Sequence, residues 1–238
     1  LSAARRVELN DGDATPLPSA LQSIKLVTIA PRVSPAALSL PPMKIALTGG
    51  MGCGKSTAAR FFEEAGCTRI DSDDVIRREI LTEPEVVRLA AAHFDADVLA
   101  PDGSLDRAAL ARVVFSDDEK LRAWEAVVHP RLFAKWRAAF ATEPPRTWIV
   151  EVPLLYEKGL EKGFDLAGCV TTTSMLQYAR LAERGLPHAL AEARISKQLP
   201  LAKKVELADF VLSNDGTPEF LRDQVLHLLT RLGAGERR

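Results

Sequence analysis

With 238 residues the chain has room for one domain with subdomains, or at most two small domains. That length buries enough apolar surface to fold without disulfide or metal staples, and 47% apolar with 26% charged residues is ordinary for a soluble globular protein. A net charge of −1 gives no basic footprint for nucleic acid, three dispersed cysteines match no metal spacing, and no apolar run approaches the ~20 residues of a membrane span. Cys53, Cys67 and Cys169 suit a reducing compartment, so a cytoplasmic location is expected.

Residues 1–42 are punctuated by Pro16, Pro18, Pro31, Pro35, Pro41 and Pro42, and only Ile24 to Ala30 resembles a strand or short helix. We expect a disordered extension or upstream-encoded sequence outside the fold, with Met43 directly before the first strand. Arg5, Arg6 and Arg32 would suit a transit peptide, but Glu8, Asp11 and Asp13 argue against one.

From Met43 onward strands and helices alternate. Lys44 to Thr48 is a first buried strand, Ser56 to Gly66 a helix closed by glycine, and Cys67 to Asp71 a second strand. Thr82 with Glu85, and Ser116 with Glu119, have the spacing of capping boxes in a mainly helical region from about Glu83 to Thr142. Asp102-Gly103-Ser104 marks a turn within it. Trp148 to Val152, Leu166 to Val170 and Phe210 to Leu212 read as strands, and Tyr178 to Arg184 and Pro218 to Leu232 as helices. The alternation predicts an α/β fold, a parallel sheet wrapped by helices.

Between the first strand and first helix stands Gly49-Gly50-Met51-Gly52-Cys53-Gly54-Lys55-Ser56-Thr57. Gly49, Gly54, Lys55 and Ser56 fit the G-x-x-x-x-G-K-[ST] spacing of a phosphate-binding loop. Glycines let successive backbone N–H groups turn inward on an anion, and the helix N-terminus adds its partial positive charge. Lys55 then reaches the β- and γ-phosphates and the Ser56 hydroxyl ligates Mg²⁺. Cys53 is a small residue at a variable loop position, and the one thiol whose oxidation would block the loop.

The second strand ends in Asp71, Asp73 and Asp74. Asp71 and Asp73, two residues apart, point the same way in extended chain and could serve an acceptor hydroxyl. Equally, Asp73 or Asp74 could cap a helix over Val75 to Glu79; the upstream loop tips the reading toward an acceptor carboxylate. Glu151, closing its strand, stands where such a loop finds an acid that supports Mg²⁺ directly or through water, or is a surface acid. Arg180, Arg184 and Arg194, with Gln177, Lys197 and Gln198, suggest a helical lid over phosphates, although most such arginines are solvated.

Taken in order, these stretches resemble the dephospho-CoA kinase family. The likeness runs from Leu47–Thr57 through Ile70-Asp71-Ser72-Asp73, Gly103-Ser104-Leu105-Asp106-Arg107, His129-Pro130 and Val152-Pro153-Leu154-Leu155-Tyr156-Glu157. It continues through Arg194-Ile195-Ser196-Lys197-Gln198-Leu199-Pro200, Ala208-Asp209 and Asn214-Asp215-Gly216. The family has Ile and Ser where Met51 and Cys53 stand, and often Asp where Glu151 stands.

The resemblance implies a three-layer P-loop NTPase fold over residues 43–238. A helical acceptor-binding insertion would span about 83–142 and a helical lid about 185–201. It implies transfer of the ATP γ-phosphoryl, with Mg²⁺, to the ribose 3′-hydroxyl of dephospho-CoA, in a monomer or weak homo-oligomer binding neither nucleic acid nor membrane. Asp73 would be the base with Asp71 beside it, and Lys55 and Arg194 the charge-neutralising groups. Gly49, Gly52, Cys53, Gly54, Lys55, Ser56, Thr57, Arg194, Asn214 and Gly216 would hold ATP. Asp73, His129, Pro153 and Leu154 would hold the acceptor, and Ser56 the metal with indirect help from Glu151. The rivals are another small-metabolite kinase on the same fold and a nucleotide switch; the N-K-x-D motif of a guanine-specific switch is missing from the sequence.

Overall fold

Short apolar runs bounded by turn residues become the strands of a five-stranded sheet in the computed structural model, which describes residues 40–142 and 144–234. The strands are β1 (Met43–Gly49), β2 (Thr68–Asp71), β3 (Thr147–Glu151), β4 (Leu166–Thr171) and β5 (Phe210–Ser213), in the order β2-β3-β1-β4-β5. β1 pairs in parallel with β3 and β4, and β4 with β5. A central parallel strand is covered on both faces, which is why β1 and β3 read as near-continuous apolar runs.

By their contacts the described residues fall into two units, one formed by the chain up to Arg69 and again from Arg146, the other by Ile70–Pro145. In the first, α1 (Lys55–Glu64) and α9 (Pro218–Ala234) bring Phe62, Leu221, Val225 and Leu229 against Ile45, Leu47, Ile149, Val170 and Leu212. Alternate positions of the last two strands, Cys169 and Val211, face the other way, onto Ala208, Leu201 and Val205 around α8 (Leu201–Leu207). This period-two division makes three layers. Leu40 packs on the core and the Pro41 carbonyl accepts the Thr147 hydroxyl at 2.6 Å, so the fold includes residues ahead of Met43. The expectation for Ile24 to Ala30, and for the rest of residues 1–39, lies outside the described residues.

The second unit is helical: α2 (Ser72–Val75), a π-helical turn over Ile76–Ile80, α3 (Pro84–Phe94), α4 (Arg107–Val114) and α5 (Asp118–Phe140). Val86, Ala90, Phe94, Leu110, Val128, Leu132 and Trp136 are buried there, and ion pairs Arg131–Glu83 at 3.3 Å and Lys135–Glu79 at 2.9 Å flank them.

Two local expectations are corrected in this unit. Neither capping box forms: the Thr82 hydroxyl donates to the Arg78 and Glu79 carbonyls, and Ser116 to that of Val113. Asp117, one residue later, caps α5 by accepting the Glu119 N–H at 2.6 Å. The cap of α2 is neither Asp73 nor Asp74 but Asp71, which accepts the Asp74 N–H at 3.0 Å. Pro130 lies inside α5. A proline there removes one helical hydrogen bond, and just beyond it the Arg131 guanidinium donates to the Val127 carbonyl at 2.8 Å.

Candidate active site

The phosphate loop leaves β1 at Gly49 and enters α1 at Lys55, so strand and helix fix both of its ends. Gly49 and Gly54 are required by space as well as conformation. At Gly54, φ is +91° and a Cβ would lie 2.1 Å from Asn214 Nδ2; at Gly49 a Cβ would lie 2.3 Å from the Val170 carbonyl oxygen.

Lys55 Nζ donates to the Gly49 and Gly50 carbonyls at 3.0 and 3.1 Å, which holds the ammonium over the loop. The loop tip is gripped from two sides: Gln177 Nε2 donates to the Met51 carbonyl at 2.6 Å, and the Met51 N–H donates to Gln198 Oε1 at 3.3 Å. Asn214 is buried with its Nδ2 donating to the Cys53 carbonyl at 2.9 Å. That side chain therefore braces the loop from below, an indirect part in any nucleotide binding. Thr57 lies in the first turn of α1, its N–H donating to Gly54 at 3.1 Å, and Gly216 follows Asn214 on an exposed turn.

Glu151 is not a surface acid. It is buried at the end of β3, where Oε2 accepts the Ser56 hydroxyl at 2.8 Å and Oε1 accepts Arg69 Nε and Nη2 at 2.9 and 2.6 Å. Both oxygens of this buried carboxylate are thereby satisfied by donors, one of them the charged Arg69 fork. Arg69, on β2, was not singled out from sequence because strand register alone brings it beside Glu151.

The polar arginine-bearing stretch forms two helices, α6 (Ser174–Glu183) and α7 (His188–Ile195), and the expected lid of about 185–201 takes in α7 and the start of α8. Arg180 does not stand over the loop as an open cation: its guanidinium donates to the Asn214 carbonyl at 2.9 Å. Arg184 caps the end of α6, and Arg194 is exposed in the last turn of α7. The Pro153 carbonyl accepts Thr48 Oγ1 at 3.2 Å and Lys204 Nζ at 2.9 Å, while Leu154 is exposed.

In the second unit Asp73 is exposed in the first turn of α2, directly after the capping Asp71 and Ser72, and Asp74 pairs with Arg77 and with Arg78 at 2.9 Å. His129 lies midway along α5, its ring 5.7 Å from that of Phe133.

Cys53 is fully buried, and burial pushes its thiol pKa up even though the Lys55 ammonium pulls it down. Burial drives Cys67 and Cys169 up to about 12. All three thiols are sequestered and protonated, the unreactive form, in keeping with Cys53 as a small residue tolerated in the loop. Native protein at pH 8 is expected to consume almost no thiol reagent in the time that denatured protein consumes three equivalents; rapid native labelling of Cys53 would show the loop to be open.

A parallel sheet with a glycine loop, lysine and hydroxyl between β1 and α1 defines a phosphate-loop nucleotide-binding protein. The family model for dephospho-CoA kinase matches residues 43–219. The chain is 36% identical over 199 residues to a dephospho-CoA kinase of Geobacillus kaustophilus, covering 82% of this chain and 99% of the relative. To that of Anaeromyxobacter dehalogenans it is 40% identical over 200 residues, covering 82% and 94%. Among solved structures, TT1252 from Thermus thermophilus aligns with a TM-score of 0.71 at 35% identity, covering 80% of this chain and 98% of that one. The chain belongs to the dephospho-CoA kinase family.

Proposed function

We propose that this chain transfers the γ-phosphoryl group of ATP to the ribose 3′-hydroxyl of dephospho-CoA, giving coenzyme A and ADP. The observation that carries this is the intact phosphate loop, Lys55 held at its mouth, in a chain whose family match covers residues 43–219. Gly49, Gly52, Cys53, Gly54, Lys55, Ser56 and Thr57 would cradle the phosphates, and Lys55 with Arg194 would neutralise charge spreading onto the transferred group. Asp73 would accept the hydroxyl proton, with His129, Pro153 and Leu154 toward the acceptor. Asn214 and Gly216 would support the nucleotide end.

Magnesium fits the donor set. The Ser56 hydroxyl and the Glu151 carboxyl are hard oxygen groups 2.8 Å apart, and Mg²⁺ bound with a nucleotide takes only one or two protein ligands, the rest being phosphate and water. Among the described residues no cluster of three or more His, Cys, Asp or Glu could cage a metal by itself. When bound, the ion supplies positive charge to the phosphate oxygens; Ser56 would hold it and Glu151 would hold Ser56.

The helical unit, which we take as the acceptor-binding insertion, carries a pocket of about 530 Å³. Arg77 and Arg107 stand on its wall with Leu81, Pro84, Val87 and Leu105. Guanidinium groups beside an apolar wall suit an acceptor that carries a diphosphate and a long flexible arm. Arg107→Ala is expected to raise KM for dephospho-CoA about tenfold, the scale of a lost charge-assisted hydrogen bond, with KM for ATP unchanged. Equal effects on both substrates would argue against the pocket as an acceptor subsite.

Among the described residues no helix is long and apolar enough to cross a membrane. We place the enzyme in the cytoplasm as a monomer or weak homo-oligomer with small-molecule partners, binding neither nucleic acid nor membrane. The deciding experiment is ADP release from Mg·ATP with and without dephospho-CoA, the product identified by mass. Release that depends on dephospho-CoA, with a mass gain of one phosphate, supports the proposal. Release indifferent to it would favour a nucleotide switch.

A further inference from the structure

Lys204 is completely buried, with none of its surface exposed. Lysine is almost never found there unless paired, and burying an ion pair seldom stabilises a fold more than apolar residues would. Its ammonium pairs with Glu157 Oε1 at 2.8 Å and donates to the Pro153 carbonyl. The same Glu157 oxygen accepts the Leu199 N–H at 2.9 Å, while Oε2 is buried without a hydrogen-bond partner among the described residues. Lys204 thus holds one carboxylate oxygen under Leu199.

The residue before Leu199 is Gln198, whose amide oxygen accepts the Met51 N–H at the tip of the phosphate loop. Gln177, on the opposite side of that tip, is fixed by α6 itself. Gln198 lies beyond the end of α7, in a turn closed by its own N–H on the Ile195 carbonyl at 3.0 Å. On its N-terminal side that bond ties it to the last residue of α7, and on its C-terminal side the adjacent fixed point is the Leu199–Glu157 bond.

We propose that Glu157 is a positioning residue for nucleotide binding: anchored by Lys204, it holds Leu199 so that Gln198 keeps the phosphate-loop tip in its binding shape. The inference rests only on the nucleotide-binding part of the functional reading, since the acceptor takes no part in it.

Two paired variants isolate the Leu199 contact. Lys204→Met with Glu157→Leu removes both charges and the acceptor for Leu199. Lys204→Met with Glu157→Gln removes both charges and keeps an acceptor oxygen. Equilibrium binding of Mg·ADP is the probe, normalised to folded protein by circular dichroism. The leucine pair is expected to bind about five- to tenfold more weakly than wild type, the scale of one hydrogen bond. The glutamine pair should stay within about twofold of wild type, a small fraction of that one-bond effect. Gln198→Ala should weaken wild type as the leucine pair does and add nothing when combined with it, the signature of one coupled path. Equal affinities for the two pairs, or an additive effect of Gln198→Ala, would overturn the proposal and leave a purely structural ion pair, read as a lower melting temperature alone. Wild-type protein that fails to bind Mg·ADP would overturn this inference together with the nucleotide-binding reading.

Discussion

Lys55→Met is expected to lower kcat by about 10³-fold, the upper range for removing one preorganised charge from a developing anion. Methionine keeps the length and apolar stem of lysine, so packing at this half-buried position is conserved. What disappears is the ammonium that now bridges the Gly49 and Gly50 carbonyls. With a triphosphate present the same ammonium would swing onto the phosphates, and its stabilisation would grow as charge builds in the transition state. The loss should therefore fall on kcat more than on KM for ATP, with the melting temperature nearly unchanged. Steady-state kinetics at saturating dephospho-CoA would check it. Retention of a tenth or more of the turnover would remove Lys55 from the catalytic role.

Asp73→Asn is the second large effect, a fall in turnover of about 10²-fold or more, as for loss of a general base. The substitution is nearly isosteric at an exposed residue, and the negative charge it removes from a helix first turn contributes at most about 1 kcal/mol. Mg·ADP should bind as before. Asp71→Asn makes the comparison informative, because asparagine caps a helix as well as aspartate does and the Asp71 contact on the Asp74 N–H would survive. If Asp73 is the base, Asp71→Asn keeps most of the activity. The reverse ranking would move the role to Asp71.

Much of the nucleotide half was legible because its signals are local. The glycines, Lys55 and Ser56 follow one another within a few residues, and the apolar runs of β1, β3 and β4 announce strands buried on both faces. The acid at the end of β3 was legible only as a candidate for the metal end of the loop, with a surface acid as the alternative. What could not be read is pairing across long separations. Asn214 reaches Cys53 across 161 positions, Arg69 reaches Glu151 across 82, and Lys204 reaches Pro153 across 51. Each depends on sheet order and register, which leave no trace beside the residue itself.

The misread caps have a different origin. Ser and Thr hydroxyls also donate back to carbonyls a turn earlier, as Thr82 and Ser116 do, so the spacing to a later glutamate does not decide the matter. At His129-Pro130 the proline rule is overridden by a long helix with Val128 and Leu132 buried on either side of the break.

The strand order also constrains how the chain can fold as it is made. β1 is central, yet its first partner in sequence, β3, begins at Thr147, opposite Met43. A ribosome adding about 5–20 residues per second needs roughly five to twenty seconds to span that gap. During that interval Ile45, Ala46 and Leu47 have no neighbouring strand, while the helices of Ile70–Pro145 are already emerging and depend on contacts close in sequence. Local helical contacts form faster than distant strand pairs. The inserted unit is therefore positioned to take shape first on the nascent chain, and the strand that carries the phosphate loop is the segment most in need of chaperone protection until β3 and β4 arrive.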